Sequence, residues 1–304
     1  MAAPLLFLRS LALAPLLVLA QPAYPPAAAA HAVPAAVVAE PDVVPLLPAL
    51  TRIPRSDWCN VRDFGAVGDG VADDSAALQA GLDAISMKNA VNRTLFFPEG
   101  VYLVTTTLHQ NYTYGAQLLG VGRGSVLRWG GGRDPAARIY WSSGNSRNIV
   151  EGLVFDGAGL AGVGYDHDTH GAYYETREIH RHLSFLNFIT AGLRVGWNTT
   201  DRNVPSAEMV IVNCIFANST VGIALLSYND YDNYLSGCLF TDCDVGILNQ
   251  RGMAYVTNTR FERSTVADAT VSGQPNSFRR VVSINSTQFL IQVRKTHFWD
   301  HFNC

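Results

Sequence analysis

Five segments past residue 148 repeat one pattern, and that pattern limits the possible fold more than anything else in the chain. They read IVEGLVFDGAGLAGVG, IHRHLSFLNFITAGLRVG, MVIVNCIFANSTVGIALL, YLSGCLFTDCDVGILN and YVTNTRFERSTVADAT. Each has alternating apolar residues, a phenylalanine and a polar corner, and the first four then have a glycine followed by more apolar residues. Alternation of period two makes the unit a strand. A repeat of this length marks a solenoid, whose units bury their apolar faces on one another. The anchors are Phe155, Phe188, Phe216, Phe240 and Phe261, and the last three lie 24 and 21 residues apart, one coil each. Wider gaps upstream imply loops inserted between strands. Stacked coils bring equivalent residues to about 4.8 Å, so the phenylalanines are expected to form an internal ladder and are read as core.

The chain enters this array through VRDFGAVGDGVADDSAALQAGLDAI, Val61 to Ile85. It reads as a strand, a glycine-rich turn and a short helix. Asp73, Asp74 and Ser75 offer side-chain oxygens to the free N–H groups of a helix start, over Ala76 to Ser86. Leu78, Leu82 and Ile85 follow at one apolar face. No lysine follows the glycines, and two carboxylates stand at the helix start, so a phosphate cradle is disfavoured. EF-hand spacing is absent around Asp69, Asp73 and Asp74. The stretch strongly resembles the N-terminal signature of the pectate-lyase-like superfamily, in its rhamnogalacturonase- and epimerase-like branch, and the resemblance extends over roughly Cys59 to Cys304. It implies an all-β chain, a right-handed parallel β-helix (solenoid) with a short N-terminal capping α-helix. LFFPEGVYLV and QLLGVGRGSVLRW, between Thr94 and Trp129, continue the pattern as strand pairs around turns.

The 304 residues suffice for one elongated domain over 56–304. Charged residues are 15%, below the usual quarter, which suits a β-rich secreted protein. Net charge is −3 with no basic run, so nucleic acid is not an expected partner. Residues 1–20 read as a signal peptide, with Arg9, a short apolar Leu11 to Leu19 region and a small-residue end at Ala20. The apolar run is too short to span a bilayer, so no membrane association is expected after its removal. Residues 21–55, rich in Pro, Ala and Val, read as a linker or pro-segment. Asn92, Asn111, Asn198, Asn218 and Asn285 begin glycosylation sequons, which favours the secretory route. Five cysteines leave one odd. Cys214 and Cys238 each precede their phenylalanine by two residues and are expected to stack, as free thiols or a disulfide, with Cys243 as a competing partner. No capping pattern follows Phe302, so a fragment, an incomplete gene product or a short terminal helix ending at Cys304 all fit. Oligomeric state is not legible.

β-Helix enzymes of the pectin type bind sugar along one face. In polygalacturonases of the superfamily, catalytic aspartates stand just before the Gly-Ile strands; here those positions are Ala191, Val221 and Val245. Gln292-Val293-Arg294-Lys295 only faintly matches their substrate-binding Arg-x-Lys. The far ends of these strands are richer, with YDHDTHGAYYE after Gly164, WNTTDRN after Gly196, SYNDYDNY after Leu226 and NQRGMAY after Leu248. If the coils align there, Tyr165, Trp197, Tyr228, Tyr231 and Arg251 bind a glycan, since aromatic faces stack on sugar rings. Asp166 or Asp168 with Asp230 or Asp232 would be the catalytic pair of a glycoside hydrolase. Two coil steps favour the wider carboxylate spacing and hence inversion. A β-elimination lyase, using His167 with Arg251, and a glycan-binding or structural β-helix without turnover are the alternatives. Asp166-His167-Asp168-Thr169-His170 also contains ligand types for a divalent metal, but no metal or cofactor is expected. His180 and His182 are read as surface histidines on one strand face.

Overall fold

A computed structural model describes residues 54–86, 90–168, 174–196, 206–227, 230–271 and 274–292. The signal-peptide and linker expectations lie outside these residues, as do Trp197, Tyr228, Arg294, Lys295 and Cys304. The architecture is a parallel β-helix. Two nine-stranded sheets and one eight-stranded sheet are each built by stacking one strand per coil. The first sheet runs from Cys59–Asn60 to Asn276–Arg279, the second from Asp69–Asp73 to Val282–Ile284, and the third from Leu108–Asn111 to Leu290–Gln292. A small pair, Glu175–Thr176 with Ser206–Ala207, extends two of the coils.

The phenylalanine ladder exists, with one change of member. Phe155, Phe185, Phe216, Phe240 and Phe261 stack in turn, with ring centroids 4.8 to 5.1 Å apart. Phe185, not Phe188, occupies the rung, because Ser184–Leu186 pairs with Val154–Asp156 in direct register. Phe188 is buried beside it, against Gly157 and Gly164. The recurring glycine has a steric cause. A Cβ on Gly222 would lie 2.6 Å from both the carbonyl oxygen of Gly246 and a ring carbon of Phe240. Gly192 and Gly246 face the ladder in the same way. Only a residue without Cβ lets the third sheet approach the rungs this closely.

The corners of the later coils take backbone in the left-handed region. Gly152, His182, Asn213, Gly237, Asn258 and Arg280 take it between the first and second sheets, and Asn187, Asn218, Asp242, Arg263 and Asn285 after the second. Asparagine tolerates this conformation better than most residues, which accounts for Asn218 and Asn285 independently of glycosylation. His182 sits at such a corner while His180 is fully buried, so the two do not share a strand face. Cys59, Cys214, Cys238 and Cys243 are free thiols.

The α-helix spans Ser75–Ser86 and buries Leu78, Leu82 and Ile85 as its apolar spacing predicts. Its start is wired differently from the expected cap. Asp74 turns back to accept the N–H groups of Val67 (2.6 Å) and Gly68 (3.1 Å). Asp73 accepts the N–H of Ser75 (3.0 Å) and the hydroxyl of Thr105 (2.6 Å), tying the helix to Thr105–Thr107 of the first full coil. Among the described residues no helix is long and apolar enough to cross a membrane.

Candidate functional site

The expected ridge breaks at its first member. Gly164 lies against Gly192 rather than against Gly196, and Tyr165 pairs in register with Leu193. The strand Ala161–His167 therefore runs past the glycine, and Tyr165 and His167 both point into the lumen. Tyr165 is wholly buried in the main core cluster, so it has no face for a sugar. Asp166 points outward between two arginines. Arg138 Nε reaches it at 2.8 Å, and Arg194 engages both its oxygens at 2.7 and 2.5 Å. Asp168 lies 3.7 Å from Arg138. Asp230 is fully buried and accepts the N–H of Ser227 at 2.8 Å, and burial pushes its carboxyl well above the usual range. Asp232 occupies a left-handed corner, half-buried like Tyr231 and Arg251. Asp166 and Asp230 thus do not offer the open carboxylate pair that hydrolysis requires, because one is clamped by guanidinium groups and the other enclosed.

The lumen beneath Asp166 holds a polar network that strand periodicity alone did not reveal. His167 Nε2 lies 2.8 Å from His180 Nε2, and His167 Nδ1 lies 3.0 Å from Glu175 Oε1. Ser142 donates to the same carboxyl oxygen at 2.5 Å. Tyr165 stacks on His167 at 4.3 Å, and Tyr140 donates to Gln110 at 2.5 Å. One tautomer set fits these contacts: His180 Nε2–H donates to His167, and His167 Nδ1–H donates to Glu175, while His180 Nδ1 and Glu175 Oε2 have no hydrogen-bond partner among the described residues. Burial sets the charge states. It drives His167 down to about 3 and pushes Glu175 up to about 8. His180 is lowered and Glu178 raised for the same reason. We read the His167–Glu175 contact as a neutral hydrogen bond, since burial is the largest influence on both groups. Among the described residues no group of three or more His, Cys, Asp or Glu is arranged to hold a metal.

These shifts predict a stability optimum on the acid side of neutrality. A carboxyl raised from 4.5 to about 8 stabilises the fold fully below pH 4.5 and loses that contribution as pH climbs to 8. A histidine lowered from 6.5 to about 3 stabilises fully above pH 6.5 and loses it as pH falls to 3. The two slopes oppose each other between pH 4.5 and 6.5 and act alone outside that window. The thermal midpoint, followed by circular dichroism, is expected to be highest there, with about 2 kcal/mol lost by pH 8 or by pH 3 for each group. A midpoint that rises steadily from pH 5 to 8 would contradict the neutral network.

Outside the lumen, the third sheet carries a ladder that crosses four coils. His109 pairs in register with Trp141, Trp141 with Asp166, and Asp166 with Arg194. His109 meets Trp141 edge to face at 4.9 Å, and Arg138 lies 5.9 Å over the same indole. Beyond Arg194 the row turns apolar with Ala224 and Leu248. The ladder begins beside a groove of about 650 Å³ lined by Thr105–Thr107, His109, Trp129, Arg133 and Asp134. A second hollow of about 580 Å³ shares Thr106, Thr107 and His109 and reaches Asp73 and Gln79 of the helix start. His109 is exposed, and its pKa is lowered by partial burial and by the Arg138 charge, so its imidazole is neutral at pH 7. A neutral imidazole between two hollows, with guanidinium groups on its flank, can take a proton from an anionic ligand. Sequence reading missed His109 and Arg138 because neither lies in a dense polar run; only coil stacking brings them together.

The rhamnogalacturonase A/epimerase, pectate lyase-like family model matches residues 58–130. Glucan 1,3-beta-glucosidase of Cochliobolus carbonum is 40% identical over 62 residues, 20% of this chain and 8% of that protein. Mannuronan C5-epimerase AlgE1 of Azotobacter vinelandii is 52% identical over 46 residues, 15% of this chain and 3% of that one. The chain thus spans less than a tenth of the length of these curated relatives. Among solved structures, the N-terminal fragment of bacteriophage Phi29 gene product 12 superposes with a TM-score of 0.59 at 16% identity, over 77% of this chain and 43% of that one. That likeness concerns the fold. The match over residues 58–130 supports the pectate-lyase-like superfamily, and the coil-by-coil register is that of a parallel β-helix.

Proposed function

We propose that the protein is a secreted enzyme acting on a uronate-bearing polysaccharide across the outer face of the third sheet, with His109 as the base. The observation that carries this is a neutral, exposed His109 between two hollows, next to Arg138 and sharing the larger groove with Arg133. In a uronate the proton α to the carboxylate becomes removable when the carboxylate charge is balanced, which is the part Arg133 can play, Arg138 being already paired with Asp166. His109 takes that proton, and the electron pair moves toward the carboxylate. Breaking the C4–O bond then gives elimination, with a proton supplied to the departing oxygen. Return of a proton to the opposite face gives epimerisation. The relatives, one a glucan glucosidase and one a mannuronan epimerase, support a polysaccharide substrate. Hydrolysis by Asp166, Asp168, Asp230 and Asp232 has less support, given the arginine clamp and the burial described above.

Binding without turnover is the second reading, and it draws on the apolar Ala191, Val221 and Val245 at the positions where polygalacturonases carry aspartates. The test uses protein recovered from culture medium on polygalacturonate, alginate, laminarin and dextran. Elimination raises both reducing ends and ultraviolet absorbance on the polyuronates. Epimerisation raises neither but incorporates solvent deuterium at C5. Reducing ends without absorbance, or activity on the neutral polymers alone, would overturn the His109 assignment in favour of hydrolysis.

A further inference from the structure

We infer that the corner after the third sheet, built from Tyr112, Tyr114 and Arg147, is a separate subsite for an anionic sugar; this rests on the proposed polysaccharide substrate. The residues sit where backbone geometry argues against large side chains. Asn111 pairs with Ser143 and Tyr114 bridges Ser146, so Tyr112 is equivalent to Gly144, and Gly115 to Arg147. All four positions are left-handed, with φ of 57° at Tyr112, 68° at Gly144, 70° at Gly115 and 60° at Arg147. At each level one coil uses glycine and its neighbour a large residue.

The result is a surface with room above it. Tyr112 is 61% exposed and Tyr114 55%, and a Cβ on Gly115 would meet nothing within 4 Å. The Arg147 guanidinium lies 5.1 Å over the Tyr114 ring, and its Nη1 donates to the Tyr114 hydroxyl. Arg93 Nη1 holds the Tyr114 carbonyl at 3.2 Å. Nε and Nη2 of Arg147 have no hydrogen-bond partner among the described residues. A guanidinium oriented in this way presents a fork that matches a carboxylate, and the exposed Tyr112 face offers a platform for a pyranose ring. Along the next two coils the ridge continues with the Arg177–Glu208 pair at 2.7 Å. The site would take a uronate residue of the same polymer whose reacting sugar lies at His109, three residues before Tyr112 on the edge strand Leu108–Asn111.

Affinity electrophoresis of the full chain in gels containing polygalacturonate, alginate or dextran tests this. Wild type should be retarded by the polyuronates, less so at high salt, and not by dextran. Arg147→Ala with Tyr112→Ala should weaken retardation at least tenfold without moving the thermal midpoint, and Tyr114→Phe, which removes only the hydroxyl that orients Arg147, should weaken it less. In turnover assays the double variant should raise KM on long chains and leave kcat intact. Undiminished retardation of the double variant, with turnover still lost in His109→Ala, would overturn the subsite and leave the functional reading standing. Equal retardation by dextran would overturn the anionic class. A wild type retarded by no polymer and inactive on all would overturn both.

Discussion

His109→Ala is expected to lower kcat on a polyuronate by about 10²–10⁴-fold, the range a positioned general base contributes, with KM changed little. The imidazole ring carries no structural load to confuse the result. It is exposed, touches Trp141 only edge to face, and its backbone rather than its ring bonds Gln79, through Gln79 Nε2 to the carbonyl at 2.9 Å and the N–H to Gln79 Oε1 at 2.8 Å. The pH profile supplies an independent check. A base must be unprotonated, and both burial and Arg138 lower the His109 pKa from 6.5. Activity should therefore hold down through pH 6.5 and fall only below it. Arg138→Ala removes one of the two lowering influences, so the acid limb should move toward higher pH. An unchanged acid limb in Arg138→Ala, or full turnover in His109→Ala, would remove this residue from the mechanism.

The second large effect is on stability. Phe240→Ala should cost about 3–5 kcal/mol, as large aromatic truncations in closed cores do. Phe240 is fully buried and stacked on both sides, at 4.8 Å to Phe216 and 4.9 Å to Phe261, so the cavity has neighbours on two coils and little means of collapsing. Gly222→Ala should also destabilise strongly, for the opposite reason. The new methyl would meet Phe240 and the Gly246 carbonyl, both at 2.6 Å, and overpacking of this kind typically costs about 1–3 kcal/mol or more. Combining the two separates the contacts. Loss of the ring relieves one clash but not the other, since a carbonyl in a parallel ladder cannot rotate away without breaking its hydrogen bond. The double variant should be less unstable than the sum of the singles. Strict additivity in urea unfolding would show that Gly222 does not sense the ladder.

Chemical type alone was enough to read the solenoid, the helix face of Leu78, Leu82 and Ile85, and the phenylalanines of the later coils. Alternation and period survive in a single sequence because every coil repeats the same burial problem. The errors began where coil length varied. Successive rungs of the observed ladder lie 30, 31, 24 and 21 residues apart, and the longer corner after Phe155 moved Gly164 from its true partner Gly192 to Gly196. That slip of four residues turned Tyr165, a lumen residue, into a surface one. The reading of Phe188 as a rung has the same origin, since two phenylalanines three residues apart fit the pattern equally well until strand pairing selects Phe185. The His109, Trp141, Asp166 and Arg194 ladder had no sequence signal at all. Its members come from four coils with different loop lengths, and only hydrogen-bonded register between parallel strands sets them one above another. Which side chains are core follows from local pattern; which ones meet on the surface is decided by the register of coils far apart in the chain.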